Sequence, residues 1–373
     1  MPKTISYFEQ RDNDNTQLIR KMLSTLPMSC SDFIRNIESM TSTLTRIAYL
    51  RDLKLFFEYL THEVPEFSDK QIAAISDRDL DAITGRQIDL YGDYLTLYYK
   101  DDDTILKNGE QGKMRKLSAL RSYFQYMFKN HRISSNVATL IDLPKLHEKP
   151  ILRLDSDEVS QLLNVVETGT SLTKRQQKWH DLTKTRDIAI IKLFLGTGIR
   201  VSECVGLDIQ DINIANNSFL VRRKGGDQVI LYYPDEVAEA LIDYLNQREQ
   251  IEAQPNDENA LFLSMQKKRM TVRSMEYLVK KYALIAAPLK TRFSPHKLRS
   301  TYGTNLYRAT GDIYLVADQL GHSDVNTTRK HYAAMTDDRR RMAAQYVVLD
   351  GRKADADQTE DKIQMHDAVS KDD

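Results

Sequence analysis

Two prolines six residues apart, Pro144 and Pro150, cannot both sit inside one helix. Each lacks an N–H donor, clashes with the turn before it, and biases its predecessor toward extended backbone. A chain of 373 residues also exceeds what one small core organises. The stretch LPKLHEKPIL therefore reads as the junction between two domains. We place a helical domain at residues 20–143, a linker at 144–154 and a second domain at 155–349. The remainder, 350–373, is polar with few core-forming side chains, and disorder is expected there.

Within the first domain, Leu44, Ile47, Leu50, Leu53, Phe57 and Leu60 recur at steps of three or four, which predicts one apolar helical stripe. Ser42 or Thr43 would cap it. Leu117, Leu120, Phe124, Met127 and Phe128 form a second stripe, with Lys113, Lys116, Arg121 and Lys129 on its other faces. A further helical stretch spans about Gly85 to Tyr99, and the acidic DDDTILKNGEQG breaks the pattern after it. In the second domain, Asp155 or Ser156 precedes an apolar run as a helix cap. The polar stretch TGTSLTKRQQKWHDLTKTRD, which holds the lone Trp179, reads as an exposed loop. Asp187 to Leu195 reads as a buried helix ending at Gly196 and Gly198. One β signal stands out: Ser218–Arg223 and Gln228–Tyr233 flank the turn Lys224-Gly225-Gly226-Asp227. From Pro234 to about Val348 the chain reads as mostly helical. The expected class is mainly α, with one small antiparallel sheet.

Composition narrows the function. Only Cys30 and Cys204 occur, which excludes a disulfide framework and a Cys-rich zinc site and fits a reducing cytoplasm. No apolar run approaches the roughly 20 residues of a membrane span, and the polar N-terminus does not read as a signal peptide, so a soluble, cytoplasmic protein is expected. Basic and acidic residues balance at 53 each, yet from Leu261 to Arg341 there are 16 Lys and Arg against 6 Asp and Glu. That local excess suggests a surface facing a polyanion.

Four segments carry candidate chemistry: TGIRVSECVGL with Arg200, VRRKGGD with Lys224, HKLRSTYGTNLY with His296 and Arg299, and QLGHSDVNTTRKHY with His322 and Tyr332. Singly each has a bland explanation as a cap, a hairpin tip, a solvated pair or a packing residue. A metal site built on His296, His322 and His331 is disfavoured, because no acidic residue stands at a metal-ligand spacing. His331 adjoins Tyr332 and points roughly 100° away around a helix.

In this order, the segments resemble the tyrosine recombinase (phage-integrase-like) family over about Leu152 to Val348. The family pattern appears as Gly198-Ile199-Arg200 with Ser202-Glu203 and Leu207, a hairpin Lys224, His296-Lys297-Leu298-Arg299, Gly321-His322, and Tyr332. Ser300 stands where many members have His, at a position outside the six core roles. Arg223 beside Lys224 leaves two basic candidates at the hairpin, and the place before Gly-Gly favours Lys224.

The resemblance implies a helical-bundle (SAM-like) core-binding domain and a mostly helical catalytic domain that clamp duplex DNA. It further implies that Tyr332 attacks a phosphodiester to give a 3′-phosphotyrosine and that strands exchange through a Holliday junction within a homotetramer. Arg200 and Arg299 would brace the phosphate, His296 would act as base or orienting group, and His322 would bind the phosphate or support the site. Lys224 would protonate the leaving 5′-hydroxyl. No cofactor is expected. In the helical domain Arg115, Lys116 and Arg121 are the candidate DNA contacts. Met342, Ala343, Tyr346 and Val347 would form a helix docking on a neighbouring protomer. A simple Xer-like enzyme or a mobile-element integrase fits best, without a separate arm-binding domain. The alternatives are a type IB topoisomerase and a catalytically inactive DNA-binding protein of the same fold. The DNA site and any accessory protein are not deducible.

Overall fold

The computed structural model describes residues 6–99, 104–147, 152–223, 226–290, 293–322 and 324–326. Lys224, His331, Tyr332, the docking segment and the tail therefore lie outside the described residues. The chain divides into two compact units, Met1–Pro150 and Ile151–Asp373.

The first unit contains α1 (Tyr7–Leu23), α2 (Met28–Asn36), α3 (Thr43–Glu63), α4 (Asp77–Asp81), α5 (Gly85–Tyr94), β1 (Leu97–Tyr99), β2 (Ile105–Lys107) and α6 (Glu110–Lys129). Helix α1 packs against α3, so the helical unit takes in residues ahead of position 20. Ser42 is the cap of α3, accepting the N–H of Thr45. The stripe of α3 is buried except at Leu44, which is 53% exposed, and that of α6 except at Phe128. Aromatic rings fill the core, with Phe33, Phe56, Phe57, Tyr91, Tyr123 and Phe124 all essentially inaccessible. Each such side chain contributes about 1.5–3 kcal/mol through removal from water. The break after α5 is a second hairpin, β1 paired antiparallel to β2. Sequence reading missed it because each strand has only three residues.

The second unit contains α7 (Ser156–Thr168), α8 (Lys174–Thr197), α9 (Val201–Val205), β3 (Ile212–Asn213), β4 (Ser218–Arg222), β5 (Gln228–Tyr232), α10 (Asp235–Arg248), α11 (Val272–Ala286), α12 (Pro295–Thr310) and α13 (Ile313–Leu320). Asp155 caps α7 through a reciprocal arrangement with Glu158. The three strands form one antiparallel sheet in the order β3-β4-β5.

One expectation is corrected here. The Trp179 stretch is not a loop: α8 begins at Lys174, capped by Thr173, and runs unbroken to Thr197. Its polar first half buries His180, Thr183 and Asp187 rather than an apolar stripe: Tyr282 of α11 donates to Asp187 at 2.9 Å and lies 3.4 Å from His180 Nδ1, while Thr183 bonds within α8. The chain after α10 is mostly helical, as expected, with one long interruption. Residues 249–271 form an irregular segment with isolated bridges pairing Asp208 with Ala260 and Leu263 with Arg269. Arg248 and Arg269 hold it by donating to the carbonyls of Ala260, Glu258, Val205 and Leu207.

Candidate active site

Helix α8 ends where Gly198 adopts φ +62° and its N–H donates to the Phe194 carbonyl at 3.0 Å. A left-handed residue here turns the chain sharply, so Arg200 stands as the cap of the short helix α9. Glu203, buried and three residues on, holds Arg200 twice. It accepts the Arg200 backbone N–H at 2.9 Å and pairs with Nη1 at 2.8 Å. The positioning role of Glu203 was not foreseen, although an acid three residues after a cap is its sequence signal.

Helix α12 starts with Pro295 at its first position, which suits a residue that lacks an N–H donor. His296 lies exposed in its first turn, and Arg299, one turn later, is buried. Arg299 donates through Nη1 to the Gly198 carbonyl and through Nη2 to the Leu320 carbonyl. Helix α13 then ends at Gly321, φ +58°. The Gly321 N–H donates to Asp318 at 2.8 Å and the His322 N–H to Ala317 at 2.9 Å. This paired closure is a Schellman motif, and it fixes the half-buried His322 one residue beyond the helix.

The last carbonyls of a helix have no intrahelical partner. In α13 three arginines from three other segments supply donors. Arg299 serves Leu320, Arg200 Nη2 serves Gly321 at 2.8 Å, and Arg223 Nη2 serves Asp318 and Gln319 at 3.3 and 3.1 Å. The helix C-terminus carries about half a negative charge, which offsets repulsion among the guanidiniums. Arg200 uses two of its five N–H donors in these side-chain bonds, so the arrangement leaves donors for an anion. Arg200, Arg299 and His322 are thus brought together, while His296 occupies the exposed start of α12. Arg223, the second basic candidate at the hairpin, points its guanidinium at α13.

The cysteines offer no rival nucleophile. Both are buried, and burial pushes the thiol of Cys30 up to about 12 and that of Cys204 well above its usual range. Among the described residues no cluster of His, Cys, Asp or Glu could hold a metal ion, and no helix is long and apolar enough to cross a membrane.

The second unit also carries a cationic groove of about 870 Å³ that sequence reasoning missed. Arg175, Arg186, Arg273 and Lys281 line it with the exposed rings of Trp179 and Tyr277. Its one carboxylate, Asp187, is committed to Arg186, Lys281 and Tyr282. The groove was hidden because its walls come from α8 and α11, far apart in sequence.

In the first unit the three α6 cations differ. Arg115, half exposed, pairs with the buried Asp52. Lys116 donates to Asn108 at 2.9 Å. Arg121 donates to the carbonyls of Ala138, Thr139 and Ile141.

Comparison with known proteins agrees with this architecture. Residues 152–339 match the model of the phage integrase family. A tyrosine recombinase XerC of Caldanaerobacter subterraneus subsp. tengcongensis is 34% identical over 285 residues, covering 76% of this chain and 75% of the relative. A tyrosine recombinase XerD of Staphylococcus epidermidis is 29% identical over 333 residues, covering 87% and 99%. Among solved structures, the XerH site-specific recombinase bound to difH substrate superposes with a TM-score of 0.60 at 18% identity, covering 89% of this chain and 87% of that one. The Tn1549 transposon integrase in complex with transposon right end DNA gives 0.59 at 21% identity, covering 86% and 99%. At those identities the structural likeness is one of fold.

Proposed function

Because the chain belongs to the phage integrase family and is a tyrosine-type site-specific recombinase, we propose that Tyr332 is its nucleophile and that Arg200, Lys224, His296, Arg299 and His322 complete the site. The convergence of Arg200 and Arg299 on the successive carbonyls of Leu320 and Gly321, beside His322, is the observation that carries this reading.

Tyr332 Oη attacks the phosphorus, its proton passing to His296, and the bond from phosphorus to the 5′ oxygen breaks. A phenol has an unperturbed pKa near 10, so the base is needed as attack proceeds. Charge building on the non-bridging oxygens meets two permanently charged, forked donors, Arg200 and Arg299, already oriented by carbonyls and by Glu203. His322 hydrogen-bonds the same phosphate. Lys224 gives its proton to the departing 5′ oxygen. The phosphotyrosine conserves the energy of the broken bond, so rejoining is the same reaction reversed with another strand's 5′-hydroxyl, and ATP has no role.

The partner is double-stranded DNA, with Arg115 and Lys116 of α6 and the cationic groove of the second unit meeting phosphates. Arg121, the third expected contact, is withdrawn from that set because its guanidinium is turned to the carbonyls of Ala138, Thr139 and Ile141. We further assign a cytoplasmic homotetramer that exchanges strands through a Holliday junction, a reading supported by the lambda integrase tetramer bound to a Holliday junction, which shares the fold at a TM-score of 0.54. The XerC and XerD relatives favour an Xer-like task over a topoisomerase.

Trapping on a nicked suicide duplex carrying a candidate site tests the nucleophile. A protease-sensitive DNA adduct should form in EDTA and vanish in Tyr332→Phe. An adduct that persists in that variant would place the nucleophile elsewhere.

A further inference from the structure

Arg200 and Arg299 account for two of the carbonyls at the end of α13, and the proposed chemistry uses both. The donor to the other two, Arg223, has no part in that chemistry. Its position is unusual among the site's arginines, because it closes the β4–β5 turn. The Arg223 N–H donates to the Asp227 carbonyl at 2.7 Å, and the Gly226 N–H donates to the Arg223 carbonyl at 3.1 Å. Its side chain leaves the hairpin and reaches the carbonyls of Asp318 and Gln319. There the guanidinium lies against Gly321. A Cβ at position 321 would stand 2.4 Å from Nη1 and 2.5 Å from Cζ, so a side chain there would push the guanidinium from this place. One side chain thereby joins the base of the turn to the helix end that orients Arg200, Arg299 and His322.

We propose that Arg223 is a positioning residue, fixing the turn that bears Lys224 relative to the phosphate-binding arginines. The proposal rests on the reading of Lys224 as proton donor to the leaving group. Consecutive Cα atoms are about 3.8 Å apart, so anchoring Arg223 limits where the next residue's ammonium can reach. A flexible lysine stem otherwise gives up much rotamer freedom to hold one position.

The leaving group supplies a test that a merely structural role would not pass. A 5′ oxygen departs poorly without a proton, since water itself has a pKa of about 15.7. A 5′-bridging sulfur departs as a thiolate, whose conjugate acid has a pKa of about 8.5, and needs no proton donor. Tyr332 Oη still bonds to phosphorus in both duplexes, and only the bond broken differs, P–O or P–S. Single-turnover cleavage by the full chain is measured on the two duplexes for wild type, Arg223→Ala, Arg223→Lys and Lys224→Ala.

On the oxygen duplex Arg223→Ala should be slowed by about 10²-fold, within the range that proton donation contributes, with DNA affinity held. On the sulfur duplex it should approach the wild-type rate, as should Lys224→Ala. Arg223→Lys, which keeps one charged donor, should fall between wild type and Arg223→Ala on oxygen. If Lys224→Ala is rescued by sulfur but Arg223→Ala is equally slow on both duplexes, Arg223 acts through the phosphate or the fold, and the proposal is overturned. A wild-type rate for Arg223→Ala on oxygen overturns it as well. If sulfur fails to rescue Lys224→Ala itself, the assignment of the proton donor is wrong and the proposal falls with it.

Discussion

Replacing Gly198 with alanine tests how tightly the arginine site is packed. Gly198 has φ +62°, and an L-residue in that region costs about 1–2 kcal/mol. The added methyl would also stand 2.4 Å from Cδ1 of Tyr302 and 3.1 Å from Cδ2 of Leu320. Leu320 is buried in α13 and cannot swing into solvent, and the half-buried Tyr302 of α12 would have to shift its ring outward. Overpacking of this kind costs about 1–3 kcal/mol, so the total is about 2–5 kcal/mol. Gly226→Ala is the matched control: its φ is +97°, but nothing lies within 4 Å of the new methyl. It should lose only the backbone strain. Urea unfolding followed by a probe in the second unit, such as Trp179 fluorescence, measures both. Because the Gly198 carbonyl also accepts from Arg299, the alanine variant should lose cleavage beyond its loss of stability. Equal destabilisation by the two substitutions would refute the claim that α8, α12 and α13 meet at this point without slack.

Three further variants concern the first unit. Asp52 is buried, and burial raises its pKa while Arg115 opposes the rise. In Arg115→Ala the carboxyl should rise further, so the native state binds its proton more tightly than the unfolded chain. Stability is then lost as pH rises from about 4, the unfolded value, through the folded pKa. The variant should be about 1–3 kcal/mol less stable at pH 7, discounting for the half-exposed arginine. The deficit should shrink toward zero on acidification to about pH 4, as measured by urea midpoints across that range. Arg121→Ala removes the donor to three carbonyls and should destabilise the same unit by about 1–3 kcal/mol. It should leave the salt dependence of DNA binding unchanged, whereas Lys116→Ala should reduce that slope by about one.

Elements with a simple repeat were legible in the sequence. The apolar steps of α3 and α6 gave their buried faces, because a period near 3.6 writes the inward stripe directly into the residue order. The β4–β5 hairpin was legible from β-rich runs around a Gly-Gly turn. The first half of α8 was not, because it is buried through His180, Thr183 and Asp187. Polar residues reveal their burial only when their partners are known, and here Tyr282 and Lys281 lie about a hundred residues away. Leu44 and Phe128 failed in the opposite sense, since periodicity does not tell where a stripe runs beyond its neighbour's edge.

The ordered set around Arg200 was likewise written in the sequence, and so were the glycines at 198 and 321, whose left-handed backbone few other residues adopt. Residue types and spacing fix local conformation, which depends on near neighbours. Only the tertiary structure decided what the arginines hold. Arg200 reaches Gly321 across 121 positions, Arg223 reaches Gln319 across 96, and Arg299 reaches back 101 to Gly198. Every residue offers the same carbonyl, so the sequence alone cannot say which carbonyl receives which guanidinium. Docking of α12 and α13 against the end of α8 makes that choice, and the helix end with its uncompensated carbonyls is the physical reason that three arginines meet there.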